Sequence, residues 1–459
     1  MKTNINVERA PIFTHAGGQA AHITPLQQLQ RTVAACLLWE DGFYESGQSV
    51  ADRIKELVPQ CKPADVADLA LVAREKFKLR HAPLLLVREL SRDSKRNAEG
   101  LVRNTLAQVI QRADELTEFL AIYWKEGRKP LAKQVKQGLQ TAFRKFDAYQ
   151  LAKYNRDATV KLRDVLRLVH PTPVDEAQSL LWKHLINGTL KSPDTWEVAL
   201  SAGKDKKETF ERLLSEDKLG YLALLRNLRN MVDAGVESGL VRDALLKRRG
   251  AEKVLPFRFV AAAKAAPRFE PELDRALLAT LGNMEKLPGK TVAVIDVSGS
   301  MYHSNLSGKS DMTRAHAACA LAAILRELCE DPVIYATAGD DYTRVHKTKL
   351  VPARRGMALV DAVYKLCRPL GGGGIFLRQV MEYIKTQHKQ ADRVIVITDE
   401  QDCDVAGSPS DAPIIGKHNY IINVASEKRG IAYQKWTHIN GFSESVVKYI
   451  AVSENFSFQ

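Results

Sequence analysis

The chain has 459 residues, 45% apolar and 26% charged, a globular composition that excludes collagenous, coiled-coil and largely disordered architectures and gives room for two or three domains. It has no run of 18 apolar residues, and Met1 to Ala10 is polar with an acidic Glu8, so neither a transmembrane helix nor a signal peptide is expected and the chain is placed in the cytoplasm. The excess of 67 Lys and Arg over 54 Asp and Glu is uneven: Met1–Lys290 holds 48 basic and 36 acidic residues, and the remainder 19 and 18.

The pattern up to about residue 285 is helical. Thr24 reads as the N-cap of a first helix with Pro25 at its first position and Leu26, Leu29, Val33, Leu37 and Leu38 at helical spacing. Helices are expected next over Ser49–Leu57, Pro63–Lys76, Pro83–Asp93, Gly100–Gln111, Glu115–Gly127, Leu131–Phe143, Phe146–Tyr154 and Leu162–His170. Five more follow over Val174–Ile186, Thr195–Ala202, Lys206–Leu214, Leu222–Val232 and Ser238–Lys247. Helix pairs with short links and no strands suggest an α-solenoid of the HEAT kind, although no sharp repeat is visible. Within it, Tyr123–His170 carries 12 basic and 4 acidic residues. A bias shared by consecutive helices points to a polyanion, nucleic acid above all; the bland alternative is a solvated helical face.

Leu287-Pro288-Gly289-Lys290 reads as a linker, dividing residues 1–286 from an α/β domain at 287–459. Strands are expected at Thr291–Val297, Val333–Ala338, Arg393–Thr398 and Asn419–Val424, and helices at Met312–Cys329, Ala358–Cys367, Phe376–His388 and Ser443–Ala451. Such alternation means a doubly wound sheet, whose ligands sit at the carboxyl ends of the strands. Six scattered cysteines without a C-x-x-C pair read as reduced core thiols.

Asp296-Val297-Ser298-Gly299-Ser300 ends the first strand, and Asp399 follows Val396-Ile397-Thr398 at another strand end. One carboxylate, two alternating hydroxyls and a second carboxylate at one sheet edge suit a hard cation, Mg²⁺, Mn²⁺ or Ca²⁺. The alternative is a strand-end Asx or ST turn with a helix cap. Catalytic readings fit less well. Haloacid-dehalogenase-type phosphoryl transfer wants an Asp where Ser298 stands, and the G-x-S-x-G elbow of a serine nucleophile is missing. Gly371–Gly374 lacks the Lys-Ser/Thr of a P-loop and reads as a flexible loop. Asp402 and Asp404 lie near Asp399 without the general base and two-metal cluster that a nuclease or phosphatase needs, so no enzymatic activity is expected.

The metal motif resembles the metal-ion-dependent adhesion site of von Willebrand factor A domains. Upstream, TPLQQLQRTVAACLLWEDGFYESG (Thr24–Gly47), REKFKLRHAPLLLVREL (Arg74–Leu90), RDVLRLVHPTP (Arg163–Pro173), YLALLRNLRNM (Tyr221–Met231) and VLPFRFVAAAK (Val254–Lys264) resemble the TROVE module. A TROVE-like region leading directly into an A domain is similar to the Ro autoantigen and to bacterial Ro-like RNA-binding proteins. The resemblance implies a HEAT-like helical ring closed by the A domain. It implies a positive hole for single-stranded 3′ ends of misfolded or other non-coding RNA, and an outer face for Y-like small structured RNA. Such a protein acts in RNA quality control or processing as a monomer, and its A domain recruits an exoribonuclease or other effector through the metal. By position, Lys153 and His170 fall on the family's RNA-contacting positions and Arg156 beside one. Lys133, Lys136, Arg144 and Lys145 are added on charge alone, ordinary solvation being their alternative, and His170 before Pro171 equally suits a helix C-cap. Trp39, Phe43 and Tyr44 read as core. The resemblance also implies a loop Thr among the metal ligands where this chain has Gly373, which predicts weaker, more hydrated metal binding.

Overall fold

Caps and apolar stripes start the helices where the sequence asks for them. Thr24 and Gln27 form a reciprocal cap: the Gln27 N–H donates to Thr24 Oγ1 at 3.2 Å and the Thr24 N–H to Gln27 Oε1 at 2.9 Å. In this computed structural model, residues 12–13, 19–20, 24–35, 47–92, 98–305, 312–400, 403–404, 412–425, 436–440 and 445–455 are described. Leu37, Leu38, Trp39, Phe43, Tyr44, Cys36 and Asp402 lie outside them.

A short antiparallel pair, β1 (Ile12–Phe13) and β2 (Gln19–Ala20), precedes α1 (Pro25–Ala35) and α2 (Gly47–Leu57). Then come α3 (Pro63–Glu75), α4 (His81–Arg92), α5 (Leu101–Val109), α6 (Asp114–Tyr123), α7 (Lys133–Phe143), α8 (Ala148–Tyr154), α9 (Leu162–Val169) and α10 (Glu176–Asn187). The array continues with α11 (Trp196–Ser201), α12 (Lys206–Ser215), α13 (Tyr221–Asp233), α14 (Ser238–Lys247), α15 (Phe257–Ala265) and α16 (Glu270–Gly282). Helices pack on their next-but-one neighbours: α2 on α4, α3 on α5, α5 on α7, α7 on α9, α12 on α14 and α14 on α16. Stacked helical repeats bury their faces in this way. At the tight α5–α7 contact, a Cβ on Gly138 would lie 3.0 Å from both the Arg103 carbonyl oxygen and Leu106 Cβ. Gly138→Ala is therefore expected to cost about 1–3 kcal/mol of stability in a denaturant titration despite alanine's better helix propensity.

The second region contributes β3 (Leu287–Asp296), α17 (Gly299–His303), α18 (Arg314–Leu328), β4 (Cys329–Asp340), β5 (Val345–Leu350) and α19 (Gly356–Tyr364). It ends with α20 (Leu377–Gln387), β6 (Ala391–Thr398), β7 (Gly416–Asn423), β8 (Thr437–Asn440) and α21 (Ser445–Asn455). Its sheet has the order β5-β4-β3-β6-β7-β8, with only β5 antiparallel to its neighbour. Alternate residues face opposite layers. Ala293, Ile295, Ile395 and Ile397 join the core that includes α18, whereas Val292, Val294, Val394 and Val396 meet Val380, Met381 and Ile384 of α20. The chain leaves β3 toward β4 on one side and returns as β6 on the other, which makes the β3–β6 boundary a topological switch point.

The α/β region closes the helical array into a ring. The last helix of the array, α16, packs on α18 and α19, and the Asp274 carboxylate on α16 accepts the Met357 N–H at 2.7 Å. At the other end α1 packs on α21 and β8. Seven of these elements, β1, β2, α15, α16, α17, β5 and β8, were not expected from sequence in their own right. Helices α15 and α16 follow Lys247, where the expected helices stop. Strand β5 is an exposed edge strand of sequence VHKTKL and β8 has four residues, so neither offers the apolar run that marks a buried strand.

Candidate nucleic-acid interface and metal site

Asp296, Ser298 and Asp399 converge at the switch point, all buried, with Ser300 half-buried. Pairing of Ile295 with Ile397 sets Asp296 beside Thr398, whose hydroxyl donates to Asp296 Oδ2 at 2.7 Å. Asp296 Oδ1 accepts the Ser298 N–H at 2.8 Å, the Asx turn that the sequence also allows. Ser298 stands at the N-cap of α17, yet its hydroxyl makes no cap bond and pairs with that of Ser300 at 3.2 Å. Burial, and next the Asp399 carboxylate, push the Asp296 carboxyl far above the usual carboxylate range. Asp399 has a cation: Arg314 Nη1 donates to its Oδ2 at 2.9 Å. Among the described residues, no three His, Cys, Asp or Glu converge as a metal cluster. Asp404 caps α20 instead, accepting from the Gln379 N–H at 3.2 Å and its amide at 2.8 Å.

The four-glycine loop, expected to be flexible, is pinned to this edge. Gly299 N–H donates to the Gly373 carbonyl at 3.1 Å, Gly373 N–H to that of Gly339 at 3.0 Å, and Gly374 N–H to Asp341 Oδ1 at 2.7 Å. A Cβ at Gly373 would meet Asp341 Oδ1 and the Gly339 oxygen, each at 2.8 Å. That is the physical reason for glycine where the A-domain pattern has threonine. Cys61, Cys319, Cys329 and Cys367 are buried, and Cys403 is half-buried.

The basic residues divide. Gln140 of α7 donates to the Val169 carbonyl at 2.6 Å and Arg144 Nε to that of Thr172 at 2.7 Å, so α7 is latched to the segment carrying His170. Lys136, Gln140 and Arg144 succeed one another at four-residue spacing, hence on one helix face, with Lys133 one turn earlier. His170 is exposed at the C-cap of α9 with φ +50°, as the capping alternative requires. Lys153 lies over the rings of Tyr149 and Tyr154, 5.5 and 5.8 Å from their centroids, and Arg156 is exposed just beyond. Lys145 is different. Its ammonium donates to the carbonyls of Ala107 and Ile110 at the end of α5, and burial lowers its pKa. Its ammonium serves as a helix C-cap for α5, although the residue as a whole is exposed.

The TROVE domain family matches residues 4–189 and 188–367. The chain belongs to the TROVE-domain family. The Ro (RSR) protein of Deinococcus radiodurans has the same fold, with a TM-score of 0.65 at 18% identity over 94% of this chain and 99% of that one. Telomerase protein component 1 of Mus musculus is 26% identical over 166 residues, 35% of this chain and 6% of the mouse protein. The Rattus norvegicus protein is 34% identical over 90 residues, 18% of this chain and 3% of its own length. The TROVE chain thus spans a small fraction of these curated relatives, and no described helix is long and apolar enough to cross a membrane.

The structure of this TROVE protein adds residues that sequence reasoning missed. Tyr149 is 46% exposed beside Lys153, and Arg112 lies 4.6 Å over the Tyr154 ring. Arg163 and Arg167 are exposed on α9 opposite its buried Leu162, Val165, Leu166 and Val169. The Tyr149–Lys153 spacing on one short helix was the available signal for cations interleaved with aromatic planes.

Proposed function

We propose that this TROVE-family chain is a non-catalytic RNA-binding protein of a Ro-type ribonucleoprotein. A Y-like small structured RNA lies on the basic outer face of α7–α9, and single-stranded 3′ ends of misfolded or other non-coding RNA enter the ring, for RNA quality control or processing. One observation carries the reading: the latch of α7 to the His170 segment sets exposed Arg144 and His170, with half-buried Lys136 one turn before Gln140, on one basic face. Cations there meet phosphates, and exposed Tyr149 offers a ring on which an unpaired base stacks. RNAs with a free single-stranded 3′ end are expected to bind more tightly than the same RNAs with that end paired, because a duplex does not thread a passage sized for one strand. Gel-shift titration of tailed against blunt RNAs checks this, and equal affinities would remove the ring from the RNA path.

The second reading concerns the sheet edge, where a divalent cation, Mg²⁺ or Mn²⁺ before Ca²⁺, suits Asp296, Ser298, Ser300 and Asp399. Two buried neighbouring carboxylates fit a cation, and each Asp296 oxygen keeps a lone pair beyond its hydrogen bond. A bound cation would supply positive charge able to take a partner's carboxylate. This makes the α/β region a metal-dependent scaffold that recruits an exoribonuclease or other partner. The neighbouring β4–β5 hairpin favours such docking, since Tyr342 at its tip is 96% exposed. Calorimetric titration with Mg²⁺ and Mn²⁺ should show millimolar uptake by the wild type, tighter uptake by Arg314→Ala, and none by Asp296→Ala. Wild-type silence at millimolar metal would leave Arg314 as the resident cation and end the metal reading.

A further inference from the structure

Away from both sites, a cavity of about 360 Å³ brings together the turn after α3, the end of α14 and the end of α16. Lys78, Lys247 and Arg248 line it, against one acid, Glu252. Leu255 and Pro256 form an apolar wall, and Asn283 brings an amide.

Two of these cations stand where glycine is the usual choice. Lys78 has φ +57° in the turn that follows α3, and Arg248 φ +52° at the C-cap of α14. The Leu79 N–H returns to the Ala73 carbonyl at 2.9 Å, which ties the turn that carries Lys78 back onto α3. Holding an L side chain in this left-handed region is unfavourable, because its Cβ crowds the following carbonyl oxygen. A helix C-terminus attracts one cation, which explains either residue alone. It does not explain why cations from opposite ends of the helical array meet in one cavity. Lys247 is paired with Asp217 at 3.3 Å; among the described residues, neither Lys78 nor Arg248 has an acidic partner.

Three cations against one lining acid, two of them without an acidic partner among the described residues, favour an anion. The volume exceeds what inorganic phosphate needs and falls within the small-ligand range. The apolar wall suits a base face, and the Asn283 amide can donate to and accept from a base edge. We propose that this cavity binds a nucleoside monophosphate, with Lys78, Lys247 and Arg248 on the phosphate, the nucleotide being either free or the terminal residue of an RNA strand. The inference is independent of the outer-face reading.

The test is calorimetry on the full chain stripped of nucleic acid, with adenosine 5′-monophosphate, adenosine and inorganic phosphate as probes. The monophosphate should bind saturably, and adenosine at least about tenfold more weakly, the worth of one charge-assisted contact. The decisive variant is Lys78→Gly/Arg248→Gly, which removes both charges while giving each left-handed position its preferred residue. It should melt no lower than the wild type and bind the monophosphate at least about tenfold more weakly. Lys153→Gln, on the outer face, should bind the nucleotide as the wild type does. An oligonucleotide with a 5′-phosphate that displaces the nucleotide, when its 5′-hydroxyl counterpart does not, assigns the site to strand ends; no displacement by either assigns it to free nucleotide. Absence of saturable uptake at millimolar nucleotide, or equal affinity in the double-glycine variant, overturns the proposal.

Discussion

Replacing Lys153 and Arg156 by Gln and His170 by Asn in one chain is expected to weaken structured-RNA binding about ten- to a hundredfold at physiological salt, with the melting temperature unchanged. Each phosphate contact contributes roughly −0.7 to −0.9 to the slope of log K against log salt, so the slope should flatten by about two or three. Asn is chosen because His170 has φ +50° and Asn tolerates that conformation at a helix end, which keeps the cap while removing the imidazole. Lys145→Met supplies the contrast. Its ammonium satisfies two carbonyls of α5, so this variant should lose stability and keep the wild-type salt slope. Filter binding across a salt series reads both quantities. An unchanged affinity and slope in the triple variant would move the RNA face elsewhere.

The largest stability effect is expected inside the ring. Arg74 on α3 and Glu115 on α6 form an ion pair at 2.7 Å with 8% and 0% exposure. Glu115 also accepts the N–H groups of Gln111 and Arg112 at 2.8 and 3.0 Å, and Arg74 donates to the Leu79 carbonyl at 3.1 Å. Glu115→Ala leaves a buried guanidinium without its carboxylate and two helix-start N–H groups without an acceptor. A loss of about 3–5 kcal/mol is expected in urea denaturation. The paired replacement Arg74→Met/Glu115→Leu should recover most of it, since an apolar pair fills the space with no charge to desolvate. A double variant as unstable as Glu115→Ala would show that the backbone hydrogen bonds, rather than the ion pair, hold this junction.

Much of this architecture is legible from local chemistry. Thr24 and Pro25 announce α1, and the helices from α2 to α14 lie close to their expected places because their apolar spacing and caps agree. Helix α16 carries the same signal in Leu273, Ala276, Leu277 and Leu281, with Pro271 in the first turn where a helix accepts it. Strand β5 was hidden: an exposed edge strand has no apolar face to display. At the sheet edge, strand-end position brought Asp296, Ser298 and Asp399 together as expected. Arg314, which sits on Asp399, comes from the start of α18, and no local spacing links it to that edge. In the basic stretch, composition could not separate Lys145, whose ammonium caps α5, from Lys136 and Arg144; only the packing of α5 against α7 decides that.

Closure of the ring by α1 on α21 has a kinetic consequence. These two helices are roughly 400 residues apart along the chain, a separation at which contacts are the slowest to form. The solenoid and the sheet can each fold on contacts between near neighbours, so the seam closes last. Made of noncovalent packing alone, it is also a natural first point of local opening. Amide protons of α1 should then exchange through a sub-global event, well ahead of those in α3 and α4, and at a rate set by the seam rather than by unfolding of the whole molecule.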